Sequence, residues 1–81
     1  MQYTIKVFGQ MRLSIGAGEL KLEIDEPVVC AKLRTAIAHN EPRLAAFLPA
    51  CRFAVNQQYV DEDHRIECDD EIALIGLVAG G

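Results

Sequence analysis

An α+β fold, with a mixed sheet of four to five strands packed on one main helix, is predicted for this 81-residue chain by three features of its sequence. Two segments near the start alternate apolar and polar residues, the period of a half-buried strand. A middle segment repeats its apolar residues at helical spacing. The last segment is apolar at consecutive positions, as expected for a strand in mid-sheet or one covered on both faces.

Tyr3-Thr4-Ile5-Lys6-Val7-Phe8 places Tyr3, Ile5 and Val7 on one face and Thr4 and Lys6 on the other, a first strand. Residues 9–18 hold three glycines and a short apolar stretch, Met11, Leu13 and Ile15, which reads as a loop with one helical turn. Glu19-Leu20-Lys21-Leu22-Glu23-Ile24 alternates cleanly; its separation from the first strand predicts an antiparallel pair with an elaborated turn. Pro27 opens the helix, where its fixed φ is tolerated. Cys30, Leu33, Ala36 and Ile37 face the sheet, and no Ser, Thr or Asp stands at the expected cap position. His39-Asn40-Glu41-Pro42 ends this helix, because Asn tolerates a left-handed cap and Pro cannot continue it.

Leu44, Phe47 and Leu48 predict further helical turns, stopped by Pro49. Arg52-Phe53-Ala54-Val55-Asn56 is a third strand, Asn56-Gln57-Gln58 a turn and Tyr59-Val60 a brief fourth strand. An acidic loop follows, and residues 71–77 form the last strand. The order β-β-α-β-(β)-β, with the most buried strand last, fits a β-grasp sheet wrapped round one helix. One domain, 1–81, is expected, with 78–81 as a flexible C-terminal tail.

With 51% hydrophobic and 25% charged residues, the composition is that of an ordinary folded domain rather than a disordered segment. No apolar stretch approaches the roughly 18 residues of a membrane span, which predicts a soluble, cytoplasmic protein with no membrane partner. The formal net charge of −4 argues against a nucleic-acid partner, since phosphate binding needs a basic footprint. Charge is uneven: Asp61, Glu62, Asp63, Glu67, Asp69, Asp70 and Glu71 face only Arg65 as a base within residues 61–71. Such a run reads as a solvated loop, or as a surface that steers a basic partner.

Cys30, Cys51 and Cys68 are odd in number and widely spaced, with no disulfide, zinc or iron–sulfur pattern. Cys30 belongs to the apolar helix face; Cys51 and Cys68, near a strand start and in a turn, are the two whose partial exposure would leave a reactive thiol. His39 and His64 lie far apart in polar settings and read as solvated, so neither a metal nor a bound cofactor is expected. No Gly-rich loop is followed by Lys-Ser/Thr, and no nucleophile–base constellation has supporting context.

The end of the chain carries the chemistry instead. Leu77-Val78-Ala79-Gly80-Gly81 follows the apolar strand with no polar spacer. Two residues without Cβ can enter a channel too narrow for any other type, which suits a protein whose terminal carboxylate is the reacting group. A carboxylate resists attack through its charge and resonance. Activation by another enzyme's ATP as an acyl-adenylate, then displacement by a sulfur nucleophile, would leave a terminal thiocarboxylate.

Phe8-Gly9-Gln10-Met11-Arg12, Ala54-Val55-Asn56-Gln57, Asp70-Glu71-Ile72-Ala73-Leu74 and Gly80-Gly81 together resemble the small, sulfur-carrier subunits of molybdopterin synthase over nearly the full chain. The resemblance implies a ubiquitin-like β-grasp and activation by an ATP-dependent adenylyltransferase. It also implies a sulfur donor protein and insertion of the tail into a large catalytic subunit, as a heterotetramer, for molybdopterin synthesis. On that basis Gly81 would be adenylated and thiocarboxylated, Gly80 would give clearance, and ATP would be used by the activating enzyme rather than bound here. Two positions depart from the pattern: Gly76-Leu77 stands where the family usually has Pro-Pro, and Cys68-Asp69 replaces a turn ending in Gly. Two further readings stand beside this one: a ubiquitin-like modifier forming isopeptide bonds through Gly81, and a carrier for thiamine or another thio-product. Thiamine carriers are typically shorter and lack the segment from Phe8 to Arg12.

Overall fold

The computed structural model describes residues 1–76; the end of the expected last strand and the expected tail, 78–81, lie outside the described residues. The elements run β1 (Gln2–Val7), α1 (Gly9–Ile15), β2 (Glu19–Glu23), β3 (Val28–Val29) and α2 (Cys30–Asn40). Two 3-10 turns, Pro42–Leu44 and Leu48–Ala50, lead to β4 (Cys51–Val55), β5 (Gln58–Tyr59), β6 (Arg65–Ile66) and β7 (Ile72–Gly76).

The main sheet has the strand order β2-β1-β7-β4-β5, with β1 and β7 parallel and every other pair antiparallel. The last strand is therefore the middle strand. Period-2 alternation lines its neighbours' side chains into rows. Leu20, Ile5, Ile72 and Val55 form one inward row across four strands, and Val7, Leu74 and Phe53 another. Cys30, Leu33 and Ile37 of α2 close the core over these rows; Tyr3, Ile5, Leu33, Ile37, Phe53 and Leu74 are wholly buried.

Four local readings are corrected. The loop expected over residues 9–18 is largely the helix α1. Its Met11 is buried against the core, and it stops at Gly16, whose φ of 69° needs the left-handed region and whose N–H reaches the Arg12 carbonyl at 2.9 Å. Gly9 and Gly16 thus bracket a helix rather than dissolve one. Pro27 does not open α2. The β-branched pair Val28-Val29 instead joins Ile66 and Arg65 in a small antiparallel ladder, with β6 lying inside the acidic loop. That loop also supplies the cap that the sequence lacks: the N–H of Cys30 donates to the His64 carbonyl at 3.1 Å and that of Ala31 to Glu62 at 2.9 Å.

The helix ends without a left-handed residue, since Glu41 has φ −134° and donates its N–H to the Ile37 carbonyl. Pro49 sits inside the second 3-10 turn, Leu48–Ala50, rather than stopping the turns before it. The turn expected at residues 56–58 is a tight hairpin, with Asn56 and Gln57 at φ 52° and 70°.

Candidate functional site

Strand β7 leads toward the glycine-rich end through the centre of the sheet. Its register sets Leu74 beside Val7 on one side and Gly76 opposite Cys51 on the other, so the chain leaves the sheet between the end of β1 and the start of β4. Gly80 and Gly81, the residues singled out in the sequence, lie outside the described residues.

The expectation of a mid-sheet last strand holds, but only one face of it is covered. Ile72 and Leu74 point into the core, while Ala73 and Ile75 are half-buried on the opposite, open face. The same parity brings Lys6, Ala73, Ala54 and Tyr59 into a row across that face, and Ile75 sits opposite Arg52. Two alanines make a low floor. Phe8, 48% exposed, and Tyr59, 54% exposed, stand beside it as large apolar side chains facing solvent. Phe8, Ala54, Tyr59, Ala73 and Ile75 share a shallow depression of about 270 Å³. The Arg52 guanidinium lies 4.8 Å from the Tyr59 ring centroid, and Lys6 is 4.0 Å from Glu71 at the border. An apolar centre rimmed by charges is the composition of a docking surface. The sequence offered a signal for it: Phe8, Ile75 and Tyr59 are apolar at outward positions.

The start of β7 is pinned by the turn that precedes β5. Asn56 grips the Glu71 backbone twice: its N–H donates to the Glu71 carbonyl at 2.8 Å, and its side-chain Oδ1 accepts the Glu71 N–H at 2.9 Å. Its Nδ2 donates to Asp70 Oδ1 at 3.0 Å, while Asp70 Oδ2 accepts the Glu67 N–H at 2.8 Å. These contacts give Asn56 and Asp70 a structural task. Glu62 has another, pairing through both oxygens with Arg34 at 2.8 and 2.9 Å. The hydrogen bond from Arg34 holds the Glu62 carboxyl below its ordinary range. The acidic run is thus a loop whose members are partly tied into the fold.

Cys30, Cys51 and Cys68 are all free thiols. Burial pushes Cys30 up to about 11 and raises Cys51 as well. Cys30 packs in the core as expected. Cys51, read as a candidate for partial exposure, is buried, with its thiol donating to the Phe47 carbonyl at 3.1 Å; Cys68 keeps partial exposure. Among the described residues no cluster of His, Cys, Asp and Glu could hold a metal ion, and no helix is long and apolar enough to cross a membrane.

Residues 5–81 match the ThiS family. The molybdopterin synthase sulfur carrier subunit of Dictyostelium discoideum is 33% identical over 84 residues, covering 99% of this chain and 96% of that protein. In three dimensions the chain is similar to SAMP1 from Haloferax volcanii, with a TM-score of 0.83, 17% identity and full coverage of both chains. It is also similar to a chain in the complex of subunits 1 and 2 of the molybdopterin-converting factor from Helicobacter pylori, at a TM-score of 0.68 and 23% identity, again with full coverage of both chains. The ubiquitin-like β-grasp and the sequence match agree, and the chain belongs to the ThiS family.

Proposed function

We propose that this chain is a sulfur carrier that works through its C-terminal carboxylate and donates sulfur in molybdopterin synthesis. The observation that carries the reading is the sequence itself: the central strand β7 runs within five residues into Gly80-Gly81. The Dictyostelium relative, described as a molybdopterin synthase sulfur carrier subunit, supports it.

The Gly81 carboxylate attacks the α-phosphorus of ATP held by an adenylyltransferase, and pyrophosphate leaves. Hydrosulfide delivered by a sulfur donor protein then attacks the activated carbonyl carbon; the C–O bond to AMP breaks and a C–S bond replaces it. The resulting thiocarboxylate donates its sulfur within a larger catalytic subunit, which docks on the open face around Phe8, Ala54, Ala73 and Tyr59. Paired subunits in the Helicobacter complex support such a partner. This chain contributes an unhindered end and a docking surface, while ATP stays with the activating enzyme.

Deletion of Gly81 tests the reading. The shortened chain is expected to keep its fold by circular dichroism and to lose ATP–pyrophosphate exchange with the cognate adenylyltransferase. The intact mass of the native protein is expected to show one oxygen replaced by sulfur. Undiminished exchange by the shortened chain would overturn the proposal. Recovery of Gly81 in isopeptide linkage to lysines, with no thiocarboxylate, would make the chain a modifier instead.

A further inference from the structure

Strand β2 forms one edge of the main sheet, with β1 as its only strand partner among the described residues. Hydrogen bonds fix which of its backbone groups face outward. The N–H of Ile24 donates to the Met1 carbonyl at 3.0 Å, and that of Val7 to the Gly18 carbonyl at 3.0 Å. Antiparallel bonding alternates, so residues 18, 20, 22 and 24 turn their N–H and carbonyl groups toward β1. Glu19, Lys21 and Glu23 turn theirs to the outer edge, where they meet no backbone partner among the described residues. Beyond them the edge closes, because Lys32 Nζ donates to the carbonyls of Asp25 and Pro27 at 2.6 and 3.0 Å.

The side chains alternate as well. Glu19, Lys21 and Glu23 are exposed, while Leu20 and Leu22 point into the core. Leu20, Leu22 and Ile24 keep 8–9% exposure, more than the other core residues, whereas Tyr3 and Ile5 beside them on β1 keep none. An unpaired edge is a template for another strand, and a charge placed on it guards against a like edge. That guard depends on register. With Lys21 opposite Lys21 of a second, antiparallel copy, Glu19 faces Glu23 and every pair repels. With Leu22 opposite Leu22, Lys21 faces Glu23 twice and Leu20 faces Ile24 twice. All three partly covered apolar residues then gain an apolar neighbour. With Leu20 opposite Leu20, Lys21 faces Glu19, but Leu22 meets Gly18, which has no side chain. The register centred on Leu22 also sets Glu19 opposite Asp25, and Lys32 Nζ supplies a cation at that end.

We propose that β2 is a homotypic docking edge, at which a second copy of this chain pairs antiparallel about Leu22 through Lys21–Glu23 pairs. Each Lys21–Glu23 pair exchanges two backbone bonds, and the two sheets become one. Because β2 lies two strands from β7, the open face around Ala54, Ala73 and Tyr59 stays uncovered. The pairing is independent of any chemistry at Gly81. A contact this small belongs with weak, transient interfaces, and a Kd on the order of 100 µM is expected.

Sedimentation velocity and amide NMR on the full-length chain, from about 10 µM to about 1 mM, test the pairing. The sedimentation coefficient is expected to rise toward that of a dimer. Concentration-dependent shifts are expected only at residues 18–25, with slowed exchange of the Lys21 and Glu23 amides. Lys21→Glu and Glu23→Lys each set like charges opposite one another, and each is expected to weaken pairing about 10-fold. The double variant, Lys21→Glu with Glu23→Lys, restores it. Both positions are exposed, so circular dichroism is expected to show an unchanged fold in all three variants. A single species at every concentration would overturn the proposal, as would shifts at Phe8 and Tyr59 in place of β2. Pairing indifferent to Glu23→Lys, or not restored in the double variant, would overturn the register centred on Leu22. Shifts at β2 that arise only when the proposed catalytic subunit is added would assign the edge to that partner and overturn the proposal equally.

Discussion

In the proposed sulfur transfer, any side chain at position 80 would travel with the terminal carboxylate into the partner's active site. Gly80→Ala adds one methyl there and changes no charge. Folding is expected to be unchanged and affinity for the proposed catalytic subunit to weaken only partly, because the body of the domain would supply most of such an interface. Single-turnover product formation from thiocarboxylated carrier is expected to fall about 100-fold, since a misplacement near 1 Å at a reacting atom costs that much. Equal rates for the two carriers would sink the clearance role. At the same scale the cysteines divide by burial. Cys30 was legible as core from helical spacing. The burial of Cys51 was not, because it depends on Met11 from α1 and on the Phe47 carbonyl closing over the thiol. With both thiols raised by burial, neither offers much thiolate at neutral pH.

Arg34 ties α2 to the second 3-10 turn, to β4 and to the loop after β5. Its guanidinium donates to the carbonyls of Leu48 and Cys51, pairs with Glu62 in the loop after β5, and lies 5.3 Å from the Phe53 ring centroid. Arg34→Met keeps the apolar stem but strands two carbonyls, and is expected to cost ~2 kcal/mol, or about 10 °C in Tm by thermal melting. No change in Tm would show the brace to be idle. The paired carboxylate adds a pH signature. Glu62 titrates below its ordinary value of 4.5 in the folded state, so its contribution is present above that value and is lost as pH falls through the depressed one. The Glu62 side chain is 52% exposed, which screens the pair and holds the effect under about 1 kcal/mol. Urea titrations are therefore expected to show a small gap between wild type and Glu62→Gln that closes as pH drops below 4.5. A gap of constant size would refute the assignment. Element types with strong alternation, β1 and β2, were readable directly; α1, β3 and β6 were not. Val28-Val29 and Arg65-Ile66 are too short to show a period, and each is a strand only because the other lies beside it.

Across the whole molecule, one face of the sheet is closed by α2 and the other is left open. Phe8 stands on the open side at the exit of the chain, and Phe8→Asp would place a charge within the apolar surface proposed to meet the catalytic subunit. Calorimetric titration is expected to show a loss of about 2 kcal/mol in binding, roughly 30-fold in Kd, with unchanged thermal stability. Wild-type affinity in the variant would remove Phe8 from the interface. The mixed topology has the same origin as this asymmetry. Joining the first and last strands in parallel requires a crossover over one face of the sheet, and α2 makes it on the core side, so the apolar residues at outward positions of β4, β5 and β7 remain uncovered.

The sequence by itself determined the β-grasp order, the inward faces of β1, β2 and α2, the hairpin at Asn56 and the glycine end. Each of these is written in local periodicity, in turn chemistry or in a terminal pair, and local backbone physics reads them without help. Tertiary structure alone decided where α2 begins, which acids are bound and which face of β7 is open. Those outcomes depend on partners distant in the chain: carbonyls at 62 and 64 capping a helix at 30, a guanidinium at 34 claiming one carboxylate, and a helix covering one side of a sheet whose central strand is apolar on both.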